Sequence, residues 1–264
     1  MKSACICLFA VMVLSFSCTK KADEIDESNT AGLKLHRVLS EGRLVQEYEY
    51  NQDGMVIRQT FYGHGNNKSG ETIYFYDANK KLVRTETFSD VSSSTAVQQL
   101  SYGYAEYDYD SDGRISRTRT FSKFGAAFEQ TSIIVPTYDG QGRVISTLQS
   151  SVDNKPANLF KYEYDQRGNI ISQESYRYEG SVLTLGFRTT YEHDDKSNPY
   201  LNLLVLPFSV NKNNITKHTT TNYNLTPGIP AVTTMETVYK RYNSAGLPVE
   251  VIEKGAGVFL YEYK

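Results

Sequence analysis

The stretch Tyr107-Asp-Tyr109-Asp-Ser-Asp-Gly113-Arg-Ile-Ser116 (YDYDSDGRIS) has two readings. Asp108, Asp110 and Asp112, followed by Gly113 and Ile115, match the opening of a calcium loop, in which alternate acids and a glycine wrap a cation. Tyrosines two apart, followed by Asp and Gly, equally match a strand running into a tight turn. The place where a calcium loop carries its bidentate acid holds Arg119. The rest of the chain chooses the turn, because the same pattern returns without the extra acids.

It returns as Tyr48-Glu-Tyr50-Asn-Gln-Asp-Gly54, Tyr74-Phe-Tyr76-Asp-Ala-Asn-Lys80, Thr137-Tyr138-Asp-Gly-Gln-Gly142 and Tyr162-Glu-Tyr164-Asp-Gln-Arg-Gly168. Tyr242-Asn-Ser-Ala-Gly246 keeps the second half. Tyr191-Glu-His193-Asp is a degenerate copy, and Tyr261-Glu-Tyr263 begins one that is not completed. The second aromatic falls at 50, 76, 109, 138, 164 and 193, a period that fits two strands and two turns. Tyr-x-Tyr places two rings on one face of a strand. Asp or Asn then bonds the backbone ahead of it, and Gly takes the positive φ that closes the turn. An aliphatic residue follows (Ile115, Val144, Ile170, Leu247), and alternation resumes, as in Ile170, Ser172, Glu174 and Tyr176. Each copy therefore predicts a β-hairpin and the chain a long antiparallel meander. A surface calcium contact at Asp108, Asp110 and Asp112 is the residual metal reading.

Tyr-x-Tyr-Asp-x-x-Gly-Arg/Asn-Ile/Val resembles the YD (RHS-type) repeat over most of residues 43–264, in about seven copies. Lys80 for the turn glycine, His193 for a tyrosine and Lys240 for the first tyrosine of a late copy depart from it. With the N-terminal signal described next, and with Asn198-Pro199-Tyr200, Leu206-Pro207-Phe208 and Asn213-Asn214-Ile215, the chain is similar to a family of uncharacterised Gram-negative lipoproteins. That resemblance implies an all-β fold, a curled sheet or porin-like barrel, and no defined activity.

Residues 1–17 read as a signal peptide: Lys2, then a short apolar run from Ala4 to Phe16. Cys18 follows small residues and precedes a polar segment, which marks it as a lipidation site resembling that of bacterial lipoproteins. Residues 18–33 read as a flexible, charged tether, and 34–264 as one β domain. No cysteine follows Cys18, so the domain has neither a disulfide framework nor a thiolate site. The expected address is the cell envelope, as an outer-membrane-anchored lipoprotein, periplasmic or surface-exposed, touching the membrane through its lipid only.

A transmembrane barrel needs strands with one apolar face. Ile115–Phe121 gives Ile, Arg, Arg and Phe on one face and Ser, Thr and Thr on the other, and Thr216–Tyr223 is polar throughout. A transport pore therefore lacks its apolar outer band. The most apolar stretch, 198–214 (Asn198 to Asn214), reads as a short helix or loop plugging one end of the sheet, with a buried strand as the alternative.

Net charge is −2 with charges mixed along the chain, and no basic block points to nucleic acid. The four histidines stand apart, and His193-Asp194-Asp195 reads as a degenerate turn. Nothing calls for a cofactor. Of the 21 tyrosines, Tyr102, Tyr104, Tyr107 and Tyr109 form one cluster and Tyr162, Tyr164, Tyr176 and Tyr178 a second. A flat apolar ring with a hydroxyl suits a sugar or a protein partner, and equally suits a core. The expected function is a non-enzymatic binding or scaffold module with a glycan or envelope-protein partner. The alternative is a carbohydrate-active hydrolase with carboxylates meeting inside the barrel.

Overall fold

Seven turns share one geometry, and they set the architecture. They begin at Asn51, Asp77, Asp110, Asp139, Ser151, Asp165 and Asn243. In each, the first residue and the residue four later pair through the backbone, and the first side-chain oxygen accepts a second N–H from that same later residue. The fourth residue has positive φ: 76°, 64°, 78°, 76°, 58°, 89° and 74° in chain order. Lys80 adopts this conformation where other copies use glycine. The turn at Ser151, with Asn154 in the left-handed place, is one the tyrosine pattern does not mark.

The computed structural model describes residues 32–63, 65, 67–92, 98–201, 203, 211–224 and 230–264, with the side chains of 90–92 and 98–101 left aside. The signal peptide at 1–17, Cys18 and nearly all of the 18–33 tether lie outside the described residues. The strands are β1 (Leu35–Ser40), β2 (Arg43–Tyr50), β3 (Val56–Tyr62), β4 (Lys68–Tyr76), β5 (Leu82–Ser92), β6 (Gln98–Tyr109), β7 (Ile115–Phe124) and β8 (Ala127–Tyr138). They continue as β9 (Val144–Ser150), β10 (Pro156–Tyr164), β11 (Ile170–Glu179), β12 (Val182–Ser197), β13 (Asn213–Asn222), β14 (Ala231–Tyr242), β15 (Pro248–Glu253) and β16 (Gly257–Tyr263). Each pairs antiparallel with its chain neighbours, and β16 pairs with β1, so the meander closes into a sixteen-stranded barrel. Lys34 and Lys264 exchange backbone bonds of 2.9 and 3.0 Å, which places both ends of the sheet at one rim.

That rim carries the tyrosine motifs. Where an odd strand meets the following even one, the ladder stops short of the rim: β5–β6 pairing ends at Arg84↔Glu106, β7–β8 at Thr118↔Ile134, β9–β10 at Lys161↔Ser146. Tyr242 of the late copy donates to Asp194 Oδ2 (3.0 Å), whereas in the other copies the second tyrosine closes the seam. Its hydroxyl donates to the carbonyl of the preceding odd strand: Tyr50 to Leu35 (2.5 Å), Tyr76 to Val56 (2.7 Å), Tyr109 to Leu82 (2.7 Å), Tyr138 to Ile115 (2.8 Å), Tyr164 to Val144 (2.6 Å) and Tyr263 to Pro248 (2.6 Å). Tyr239 does the same to Ile215 (3.2 Å), one residue before Lys240, because register shifts around Arg241 re-aim the strand. At four seams a cation also lies over the ring: Lys34 on Tyr50, Lys81 on Tyr109, Arg114 on Tyr138 and Arg143 on Tyr164.

The eighth seam, between β11 and β12, has His193 instead of tyrosine. Three asparagines do the closing: Asn211 ahead of β13, Asn213 at its start and Asn169 in the β10–β11 turn. Asn211 Oδ1 accepts the Ile170 N–H (2.6 Å), and Asn169 and Asn213 bond each other twice. The connection enters as turns rather than a helix: the Tyr200 N–H bonds Asn198 Oδ1, and the N–H groups of Leu201 and Leu203 reach back three residues. Tyr200 and Leu203 pack into the apolar cluster of Leu35, Tyr48, Val56, Tyr74, Tyr261 and Tyr263, so the plug expectation holds for the described part. The His193-Asp194-Asp195 turn does not form, because β12 runs on to Ser197.

Simple alternation fails beside each turn. Register shifts fall at Tyr50/Val56, Tyr76/Leu82, Tyr109/Ile115, Tyr138/Val144 and Tyr164/Ile170. One extra residue reverses the facing of everything after it. Ile115 is therefore buried within the barrel, whereas Arg117, Arg119 and Phe121 pair with Asp108, Glu106 and Tyr104 on the outside. Ile170 likewise lies inside and does not share a face with Ser172, Glu174 and Tyr176.

Tyr164→Phe removes one seam bond and is expected to lower unfolding free energy by about 1 kcal/mol, read from the urea midpoint at unchanged slope. Gly142→Ala, at φ 76° with nothing within 4 Å of the added methyl, is expected to cost about 1 kcal/mol or slightly more from backbone strain alone. An unchanged midpoint for Tyr164→Phe would mean that the hydroxyls do not tie the seams.

Candidate functional site

The barrel wall separates the tyrosines into two populations. Tyr107 and Tyr109 point inward: the Tyr107 hydroxyl lies 3.0 Å from Thr85 Oγ1, and Tyr109 closes its seam. Tyr162 and Tyr164 occupy the equivalent inward places. Tyr102 and Tyr104 face out, opposite Phe88 and Glu86. Tyr176 and Tyr178 face out as well, opposite Leu185 and Leu183. Each expected cluster of four is thus split by the wall. Tyr107 is buried and Tyr109 packs against the same apolar cluster, Tyr162 and Tyr164 are part-buried on the inner face, and the other four lie on the outer face.

Tyr104 anchors an aromatic group on the outer wall. Its ring stacks on Phe121 (4.4 Å, 14°), and Phe128 sits edge-on to both Tyr102 and Tyr104 at 5.1 Å. The Arg84 guanidinium lies 3.7 Å from the Tyr104 centroid, and the Tyr102 hydroxyl donates to Glu86 (2.7 Å). Tyr176 is isolated from this group, donating to Glu174 (2.6 Å) beneath the Lys161 ammonium.

Around these rings the outer wall carries paired charges interspersed with exposed apolar side chains such as Phe75 and Val135. Arg37–Glu47, Arg84–Glu86, Arg119–Asp108, Arg188–Glu174, Lys217–Glu192 and Lys254–Glu236 bridge neighbouring strands or residues, all within 3 Å. The inner wall away from the tyrosine rim carries many neutral polar side chains, with Arg177 and Glu179 among them. Thr72 meets Thr87, Thr120 meets Ser132, Gln149 meets Ser132 and Asn158, and Thr189 meets Thr220.

The three acids of the opening stretch are dispersed in role. Asp110 Oδ1 caps the turn, accepting the N–H groups of Asp112 and Arg114, while its Oδ2 takes the Arg114 guanidinium. Asp112 pairs with Arg114, and Asp108 with Arg119 on the outer wall. Among the described residues no group of three or more His, Cys, Asp or Glu is placed to hold a metal ion.

Carboxylates show one direction of perturbation. Asp110 and Asp139 are held below the ordinary range by the backbone N–H groups and side chains of Arg114 and Arg143. Glu174 is lowered by Tyr176 and Arg188, and Glu236 by Lys254. At Glu47, Glu71 and Asp165, burial acts upward, but hydrogen bonds and cations outweigh it. A hydrolytic acid needs the opposite shift, to hold its proton near neutrality. Burial lowers the proton affinity of His193, whose Nε2 is buried without a hydrogen-bond partner among the described residues.

Solved structures share this architecture. A porin-like protein from Bacteroides uniformis superposes on 88% of this chain and 95% of its own, at 11% identity and a TM-score of 0.51. The chain has a porin-like fold. A second porin-like protein, from Bacteroides vulgatus, covers 88% and 98% at 12% identity, with a TM-score of 0.44. No family model matches the chain, nor does any curated protein. The fold likeness extends to the closed meander. The ion pairs on the outer wall and the plugged rim are observations of this chain itself.

Two features of the site escape the tyrosine pattern. The outer aromatic group includes Phe121 and Phe128, which carry no motif. The inner wall between β10 and β13 holds an exposed ring, Phe187, beside a glycine bulge at Gly186. Glycine inside a strand is the one sequence signal that marks this place.

The buried phenols give the barrel a defined alkaline limit. Burial pushes Tyr74, Tyr76, Tyr109 and Tyr164 up to about 12, against about 10 for a free phenol. The folded state keeps protons that the unfolded chain would release. This stabilisation is complete below about pH 10 and is lost as pH rises through about 12. Tyrosinate absorbance is expected to appear mainly together with loss of β-sheet circular dichroism. Full tyrosine titration with the sheet signal intact would contradict the seam assignment.

Proposed function

We propose that this chain is a lipid-anchored protein of the bacterial cell envelope whose barrel stands in water as a binding or scaffold module. The anchor is Cys18. The outward face of the wall carries the reading: ion pairs ring it where a membrane-spanning barrel has an apolar, lipid-facing belt. A charged side chain on a lipid-facing wall costs roughly 2–4 kcal/mol at the midplane, and here such residues recur on strand after strand. The tyrosine rim is filled by its own rings and by Tyr200 and Leu203, which argues against a pore. The downward-shifted carboxylates argue against hydrolysis. The outer aromatic group at Tyr102 and Tyr104 offers a partner-facing surface suited to a glycan or an envelope protein. The resemblance to YD-repeat lipoproteins and the porin-like fold both support an envelope address, outer-membrane-anchored and either periplasmic or surface-exposed.

Detergent phase partition tests the placement. The wild-type chain, expressed in a Gram-negative host with its signal, is expected in the detergent-rich phase and Cys18→Ala in the aqueous phase. A Cys18→Ala protein that still enters the detergent phase would show that the barrel wall itself sits in lipid, and would sink the reading.

A further inference from the structure

We infer that the inner wall of β10–β13 carries a binding cleft for a single neutral sugar ring, entered from the rim opposite the tyrosines. This deepens the binding-module reading and rests on it. The cleft encloses about 170 Å³, below the ~300–1,000 Å³ of pockets for drug-sized ligands. Its floor is Phe187, which is 40% exposed although it faces into the barrel, opposite Ser175 and Asn222. Its flat apolar face, partly open on the inner wall, matches the C–H face of a pyranose.

Hydrogen-bonding groups surround that ring. Asn158 and Asn224 bring amides to the cleft, and Arg177 and Glu179 line its side. Neither Arg177 nor Glu179 has a hydrogen bond or ion pair among the described residues, unlike the committed charges on the outer wall. They lie two residues apart on one face of β11 and cancel in net charge, so the cleft has donors and acceptors without selecting an ionic ligand. The neutral hydroxyl and amide lining above it continues the same chemistry.

Gly186 makes the cleft possible. Its carbonyl accepts the Asn224 amide (3.4 Å) and the Tyr223 N–H (2.9 Å). A Cβ at Gly186 would stand 3.0 Å from Asn224 Nδ2 and 3.5 Å from the Ser175 carbonyl oxygen. The absence of a side chain here leaves room for the Asn224 amide, which lines the cleft together with Phe187.

The test uses the full-length chain in detergent, titrated by calorimetry with the methyl glycosides of glucose, galactose, mannose and N-acetylglucosamine. At least one is expected to bind, with Phe187→Ala and Arg177→Ala each weakening it by about tenfold or more and Lys254→Ala, in an exposed ion pair away from the cleft and the outer aromatic group, leaving it unchanged. Arg177 is exposed and unpaired among the described residues, so Arg177→Ala reports on the ligand even if Phe187→Ala lowers stability. Binding lost in Tyr104→Ala and retained in Arg177→Ala would overturn the cleft and move the glycan to the outer wall. No binding of any of the four would overturn the sugar assignment, while the Cys18→Ala partition decides the envelope reading independently.

Discussion

The barrel depends on one bond repeated around a rim: a tyrosine hydroxyl donating to a backbone carbonyl across the gap between hairpins. A meander of hairpins is held firmly within each turn and loosely between them. Here the ladder between successive hairpins ends before the rim, leaving carbonyls that water or protein must satisfy. Tyrosine is suited to this task because its rigid ring spans the gap at little entropic cost and fills space while its hydroxyl bonds. Each bond is modest, about 1 kcal/mol, but the seven, with the asparagine bonds of the β11–β12 seam, complete a ring in which every hairpin is held from both sides. The cations stacked above four of the rings shield them further from solvent at the rim.

The hairpins and their turns were legible because the chemistry of each is local. Asp or Asn beginning the turn and a residue tolerant of positive φ ending it are sufficient, and Lys80 shows that the frame around a turn can impose that φ on an ordinary side chain. Face assignment was less legible. The bulge after each turn has no letter of its own, so simple alternation puts Ile115 and Ile170 on a face with residues from which the wall separates them. The division of the tyrosine clusters was in part open to view: Tyr104 and Tyr107 are three apart, and an unbroken strand must place them on opposite faces. That Tyr239 rather than Tyr242 reaches across the β13–β14 seam was not, since only the tertiary register reveals it.

The surfaces available to ligands were the least legible. Phe187, Arg177 and Asn224 meet because β11, β12 and the end of β13 run side by side in one particular register, and no spacing in the chain encodes that meeting. The same holds for the outer group, where Tyr104 finds Phe121 and Phe128 through two strand pairings. The acids, by contrast, were read well as structural: Asp110 and Asp139 are engaged by the backbone and by arginines in the turns they begin.

The pairing of Lys34 with Lys264 gives the molecule a direction. Any chain joined ahead of Leu35 must leave by the rim that the seam tyrosines, Tyr200 and Leu203 line. The point of departure and the seam bonds therefore share one mouth of the barrel. The ends of β11, β12 and β13 that carry Phe187 and Asn224 lie at the far mouth, a strand's length from the place where the chain enters.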